Sequence, residues 1–135
     1  MDGNRAPTRV VAAFTLGDLQ SVRALVEDMA GAAGLTSEQA SDLVLAVSEI
    51  AANAIQHAGG SGHLRVVRCG CTVSVVISDN GAGLARAATD PERPDAESLS
   101  GRGLWMARAL CPDLRIANSP RGLTVTMVAS APLAA

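Results

Sequence analysis

"SEIAANAIQHA", residues 48–58, decides how this chain is read. Leu43, Val47, Ile50 and Ala54 step along it by four, three and four, the apolar stripe of a helix set against a core. The same helix carries Glu49, Asn53 and His57 at steps of four. Four residues overshoot a helical turn by about 40°, so these side chains form a polar ridge bordering the core stripe. Burying an unpaired carboxylate or carboxamide costs on the order of several kcal/mol. The ridge is therefore solvated, satisfied internally, or turned toward a ligand. Glu and Asn are common on wet helix faces, so the ridge alone does not choose.

Working outward, Thr36 supplies a hydroxyl for the first turn of this helix and Gln39 reaches back, with Glu38 and Asp42 well placed against the dipole. The helix runs to about Ala58, where Gly59, Gly60, Ser61 and Gly62 end it. Upstream, "TRVVAAFTL" (8–16) alternates with Val10, Ala12, Phe14 and Leu16 on one side, the pattern of a strand. From Asp18 a first helix repeats Leu19, Val22, Val26, Met29 and Ala33 until Gly34 stops it. Downstream, "HLRVVRC" (63–69) and "TVSVVISD" (72–79) flank Gly70 as a hairpin. A long Gly-, Pro- and acid-rich loop follows. "GRGLWMARAL" (101–110) then reads as a short helix with Leu104, Ala107 and Cys111 inward, and "DLRIANS" (113–119) and "LTVTMVAS" (123–130) close as a hairpin turned at "PRG". The order βααββαββ predicts an α/β two-layer sandwich: one domain over 1–135, helices on one face of a mixed, largely antiparallel sheet.

Composition removes several functions. A net charge of −2 without a basic patch gives no electrostatic case for nucleic acid or an anionic membrane. No apolar run approaches a bilayer span and no secretory leader is read, which points to the cytoplasm. The 3 cysteines, Cys69, Cys71 and Cys111, lack paired C-x-x-C spacing and read as free thiols. Two thiols around Gly70 are too few for a zinc site. Every basic side chain is arginine; without lysine there is no Walker A phosphate loop and no Schiff-base chemistry.

Two further motifs give the ridge its meaning. "SDNGAG" (78–83) ends an apolar strand with a carboxylate before two glycines, and "SGRGL" (100–104) puts two more glycines at a helix start. With the E-x-x-x-N of Glu49 and Asn53, in this order and at these separations, the chain resembles the GHKL ATP-binding superfamily over nearly its whole length. That fold is shared by type II topoisomerase ATPase domains, histidine kinase catalytic domains and bacterial anti-sigma serine kinases. The short chain and the wording of residues 48–58 are most similar to the stand-alone anti-sigma branch.

The resemblance implies an ATP site and Mg²⁺. Asn53 would ligate the ion, in keeping with magnesium's use of few protein ligands. Glu49 would be the general base for a serine or threonine hydroxyl. Asp79 would accept from the adenine amino group, where guanine presents a carbonyl, and Gly81 and Gly83 would let the backbone approach the base. Gly101, Arg102, Gly103 and Leu104 would meet the phosphates at a helix start, where free N–H groups and the dipole favour anions. His57 either joins the nucleotide or caps the helix dipole. Residues 84–100 would be the lid, with Arg86 and Arg93 solvated or reaching the γ-phosphate. The family's Gly-Thr at the start of its last strand is here Gly122-Leu123, so the threonine role would shift to Thr124, which shares a strand face with Thr126, or pass to a water.

Three readings follow from the resemblance. One is an anti-sigma factor that sequesters a sigma factor and phosphorylates a STAS-type anti-anti-sigma partner, acting as a homodimer. Another is a nucleotide-gated protein switch without phosphotransfer. The third, the catalytic half of a split histidine kinase, lacks the dimerisation helices and phospho-accepting domain.

Overall fold

The computed structural model describes residues 8–57, 62–78, 106–119 and 122–132. Strand β1 (Thr8–Phe14) leads through a 3-10 turn (Leu16–Asp18) into helix α1 (Leu19–Ala33) and helix α2 (Ser37–His57). Strands β2 (Gly62–Cys69) and β3 (Thr72–Ser78) follow, then a helical stretch at 106–110, and finally β4 (Leu114–Ser119) and β5 (Gly122–Ser130). The expected α/β order is present. The sheet has five strands in the order β1-β2-β3-β5-β4, and each of these pairings is antiparallel. The expectation of a mixed sheet is refined accordingly: β4 does run parallel to β3, but β5 lies between them, so no described ladder is parallel.

Local chemistry sets the boundaries. Asp18 Oδ2 accepts from the Thr15 backbone N–H at 2.8 Å and from Thr15 Oγ1 at 3.1 Å, which starts the helical path right after β1. Leu16 therefore sits in a turn and is 67% exposed, not on the core face that strict alternation assigned it. The β1 register also shifts between Val11 and Phe14, so one alternating face does not run unbroken from Val10 to Phe14. Gly34, at φ 84°, ends α1, and the Leu35 N–H reaches back to the Ala30 carbonyl at 3.1 Å, a Schellman closure. The reciprocal cap at Thr36 is present: Gln39 N–H donates to Thr36 Oγ1 at 3.1 Å, and Gln39 Oε1 accepts from Thr36 N–H at 2.9 Å.

The core lies between α1, α2 and one face of the sheet. Leu64, Ile77 and Val125 form one cross-strand row of fully buried side chains, and Val66, Val75 and Met127 form the next. Val22, Val26 and Met29 of α1 and Leu43, Val47, Ile50 and Ala54 of α2 cover them. Ala107 and Cys111 are buried, as the inward face of the short helix requires; Leu104 lies outside the described residues. Among the described residues no helix is long and apolar enough to cross a membrane.

Candidate functional site

Helix α2 is oriented by its first turn. Gln39 Nε2 donates to the Ser130 carbonyl at 2.7 Å, fixing the start of α2 at the end of β5. From Gln39 to Asn53 the helix rises about 21 Å, and from Ser130 back to Thr124 the strand covers about 20 Å. Asn53 therefore stands at the level where β5 begins, and Ser78, the last residue of β3, pairs with Thr124 there. Only 58–61 separate α2 from β2, whose His63 pairs with the same Ser78. The end of α2 and the end of β3 thus lie toward the same end of the sheet.

The ridge on α2 is real and graded. Taking the centre of the Leu43–Val47–Ile50–Ala54 stripe as reference, Glu49 is rotated away by about 125° and Asn53 by about 85°. The ridge thus turns into the core as it nears the helix end. Burial follows: Glu49 is half-buried, whereas Asn53 is 4% exposed. Leu45, about 165° from the stripe, is 45% exposed as this geometry demands. Asn53 is engaged within the protein, not orphaned. His57 is the last residue of α2, and its side chain lies outside the description.

The opposite flank of α2 is closed by an interaction that sequence reading missed. Arg23 Nε of α1 donates to Ser48 Oγ at 2.9 Å, and Ser48 Oγ donates to the Val44 carbonyl at 2.7 Å. Ser48 is buried, so α1 seals this side while Glu49 and Asn53 face the other. The available signal was a mid-helix serine, which bonds back one turn unless a partner draws it out.

Of the other anticipated residues, Asp79, Gly81, Gly83, Gly101, Arg102, Gly103 and Leu104, and the lid at 84–100 with Arg86 and Arg93, lie outside the described residues. Thr124 is half-buried, whereas Val125 and Met127 on the same strand are fully buried. Strand alternation consequently puts Thr124 on the sheet face away from the helices, with Thr126. The structure brings it level with Asn53 but not to the same side of the sheet.

A recess of about 480 Å³ is lined by Glu38, Asp42, Leu43, Cys111, Asp113 and Ser130 among others. Its size suits a small ligand. It sits at the start of α2, about 20 Å of helix away from Asn53, and shares no residue with the ridge.

The Histidine kinase-like ATPase domain model matches residues 12–129. The chain belongs to this family. Among solved structures it is similar to the RsbU and RsbW domains of Rv1364c from Mycobacterium tuberculosis, with a TM-score of 0.65, 22% identity and 92% of this chain covered. The match spans 32% of that chain, so it shows a shared fold.

Proposed function

We propose that this histidine kinase-like ATPase domain is an anti-sigma factor. It sequesters a sigma factor and, with Mg-ATP, phosphorylates a serine or threonine of an anti-anti-sigma partner. The observation that carries this reading is Asn53, an amide 4% exposed on a core helix, one turn beyond the half-buried Glu49. Helix α1 closes the far flank of α2, which leaves the ridge as the side available to a ligand. The RsbW domain in the similar structure supports the regulatory direction of the proposal.

The donor set fits magnesium. Asn53 offers a hard carboxamide oxygen, and the described residues hold no group of three His, Cys, Asp or Glu able to cage an ion. Such a site suits a cation that takes most of its ligands from phosphate and water. Bound there, the ion would neutralise charge on the triphosphate.

The chain's own groups do the rest. Asp79 accepts from the adenine amino group, with Gly81 and Gly83 beside the base. Gly101, Arg102, Gly103 and Leu104 receive the phosphates. Glu49 takes the proton of the partner's hydroxyl as its oxygen bonds the γ-phosphorus and the bond to ADP breaks. Positioning and charge neutralisation supply most of the rate in such transfers. His57 completes the nucleotide's surroundings, whereas Thr124, on the opposite face of the sheet, does not, and a homodimer presents two such sites.

Incubation with γ-labelled ATP and a STAS-type partner tests this. Wild type transfers label to the partner, and Glu49→Ala retains ATP binding while transfer falls by at least about 100-fold, the scale of a lost general base. ATP binding without transfer in wild type would leave a nucleotide-gated switch instead. No ATP binding would remove both.

A further inference from the structure

The tip of the β2–β3 hairpin carries two thiols that the nucleotide site does not use. Cys69 pairs with Thr72 across the end of the ladder, leaving Gly70 and Cys71 as a two-residue turn. Gly70 has φ 62°, and no described non-glycine residue has positive φ. This is the type II′ pattern, with glycine in the first central position. Both Cys69 and Cys71 are exposed. The turn's backbone is held independently of them: Arg68 Nη1 donates to the Gly70 carbonyl at 3.1 Å, and the Ala131 N–H donates to the Cys71 carbonyl at 2.8 Å. A Cβ built on Gly70 would meet nothing within 4 Å, so the space outside the turn is open.

We propose that Cys69 and Cys71 form a dithiol site that closes into an intramolecular disulfide by exchange with a low-molecular-weight disulfide. Cα atoms two residues apart are separated by at most about 7 Å, and the reversal at Gly70 draws these two closer. That brings them into the roughly 4.4–6.8 Å range of natural disulfides. The exchange takes two steps. One thiolate attacks the small disulfide, forming a mixed disulfide and releasing one small thiol. The neighbouring thiolate then attacks the protein-side sulfur, forming the Cys69–Cys71 bond and expelling the second small thiol. The two cysteines lose two electrons and two protons, and the small disulfide gains them.

The third thiol is a built-in contrast. Cys111 is buried beneath β5, with Sγ 3.6 Å from the Val128 carbonyl, and burial pushes its pKa up. It is inert by the criteria that make the tip pair accessible. The tip stands at the end of the sheet away from Ser78 and Thr124, since Thr72 pairs with Ser130. Oxidation there leaves the nucleotide end uncovered.

Intact-mass measurement of the native chain, titrated with oxidised glutathione and followed by peptide mapping, tests the site. Wild type is expected to lose two hydrogens without an adduct, mapped to Cys69 and Cys71, and Cys111→Ala to behave the same. Cys69→Ser and Cys71→Ser are each expected to keep one glutathione adduct and lose the ring. Wild type that accumulates two adducts, links its tip cysteines between chains, or stays reduced would overturn the proposal.

Discussion

Gly62 opens β2 at the site end of the sheet, and the structure says what replacing it costs. A Cβ there would lie 2.9 Å from Phe14 Cζ, 3.0 Å from Phe14 Cε1 and 3.3 Å from the Ser78 carbonyl oxygen. Carbon contacts are best near 3.5–4.0 Å, so the ring must retreat by more than about half an ångström. It has nowhere to go: Phe14 is fully buried, and the register shift ahead of it is what brings it opposite Gly62. The φ of Gly62 is not positive, so alanine suffers no backbone penalty. Overpacking of this kind costs about 1–3 kcal/mol, offset by about 0.5–1 kcal/mol from replacing glycine within a strand. Gly62→Ala should therefore destabilise by about 1–2 kcal/mol, a fall in Tm of about 3–7 °C for a domain of this size. Urea denaturation followed by circular dichroism gives the number. In a Phe14→Leu background the clashing ring atoms are gone, and the same Gly62→Ala change should be neutral or slightly stabilising, a coupling of about 1–2 kcal/mol. An equal cost in both backgrounds would refute the steric reasoning.

Other perturbations follow from the same geometry. Gly34→Ala should cost about 1–2 kcal/mol because φ is 84° there while its nearest neighbour, Ala131 Cβ, stands at an ordinary 3.8 Å. Gly31→Ala, inside α1 with open space around it, should stabilise by about 0.5–1 kcal/mol, and urea titration of both variants checks the opposite signs. The buried Cys111 thiol is harder to ionise folded than unfolded, so the unfolded chain releases its proton first as pH rises. Its contribution is complete below the thiol's ordinary value of 9.0 and is lost as pH climbs through the raised folded pKa. The sequence has no lysine or tyrosine to add to this alkaline limb, and the difference between wild type and Cys111→Ala isolates this one thiol, so denaturation of the variant should show the limb flatten.

The fold was legible wherever one side chain signals one geometry. The Thr36–Gln39 cap, the Gly34 stop and the Gly70 turn each fix a local conformation, and each stands where expected. The α2 stripe was equally plain, because four apolar residues at helical spacing have one way to share a face. Errors came where tertiary contacts overrode a local period. Leu16 continued the strand alternation, but the Thr15–Asp18 hydrogen bonds had already turned the chain. The resemblance passes a threonine role to Thr124, and the face that residue presents depends on strand parity relative to Val125. The Arg23–Ser48 bond joins residues 25 apart, and no spacing rule reports such a pair. At the site, the ridge could be drawn on a helical wheel, but its increasing burial needed the core centre to be known.

Helix α2 has two ends with different duties, and separate perturbations distinguish them. At its start, Gln39 both closes the cap and holds Ser130, and Ser130 Oγ in turn meets Thr72 Oγ1 at 2.8 Å. Gln39→Ala removes one cap bond and one anchor, each worth about 0.5–1.5 kcal/mol, so stability should fall by about 1–2 kcal/mol. Asn53 is held by the intervening Ala46, Val47, Ile50 and Ala51, all fully buried, and a helix packed over that length does not bend for one lost anchor. ATP affinity in Gln39→Ala should accordingly stay within about threefold of wild type, under ~0.7 kcal/mol. Asn53→Ala should do the reverse at the level of binding, with calorimetry showing at least a tenfold loss of Mg-ATP affinity, about 1.4 kcal/mol, and a smaller loss for ATP without magnesium. If Gln39→Ala weakens Mg-ATP binding as much as Asn53→Ala does, α2 is not the stiff rod described, and the nucleotide end is coupled to the cap through movement of the whole helix.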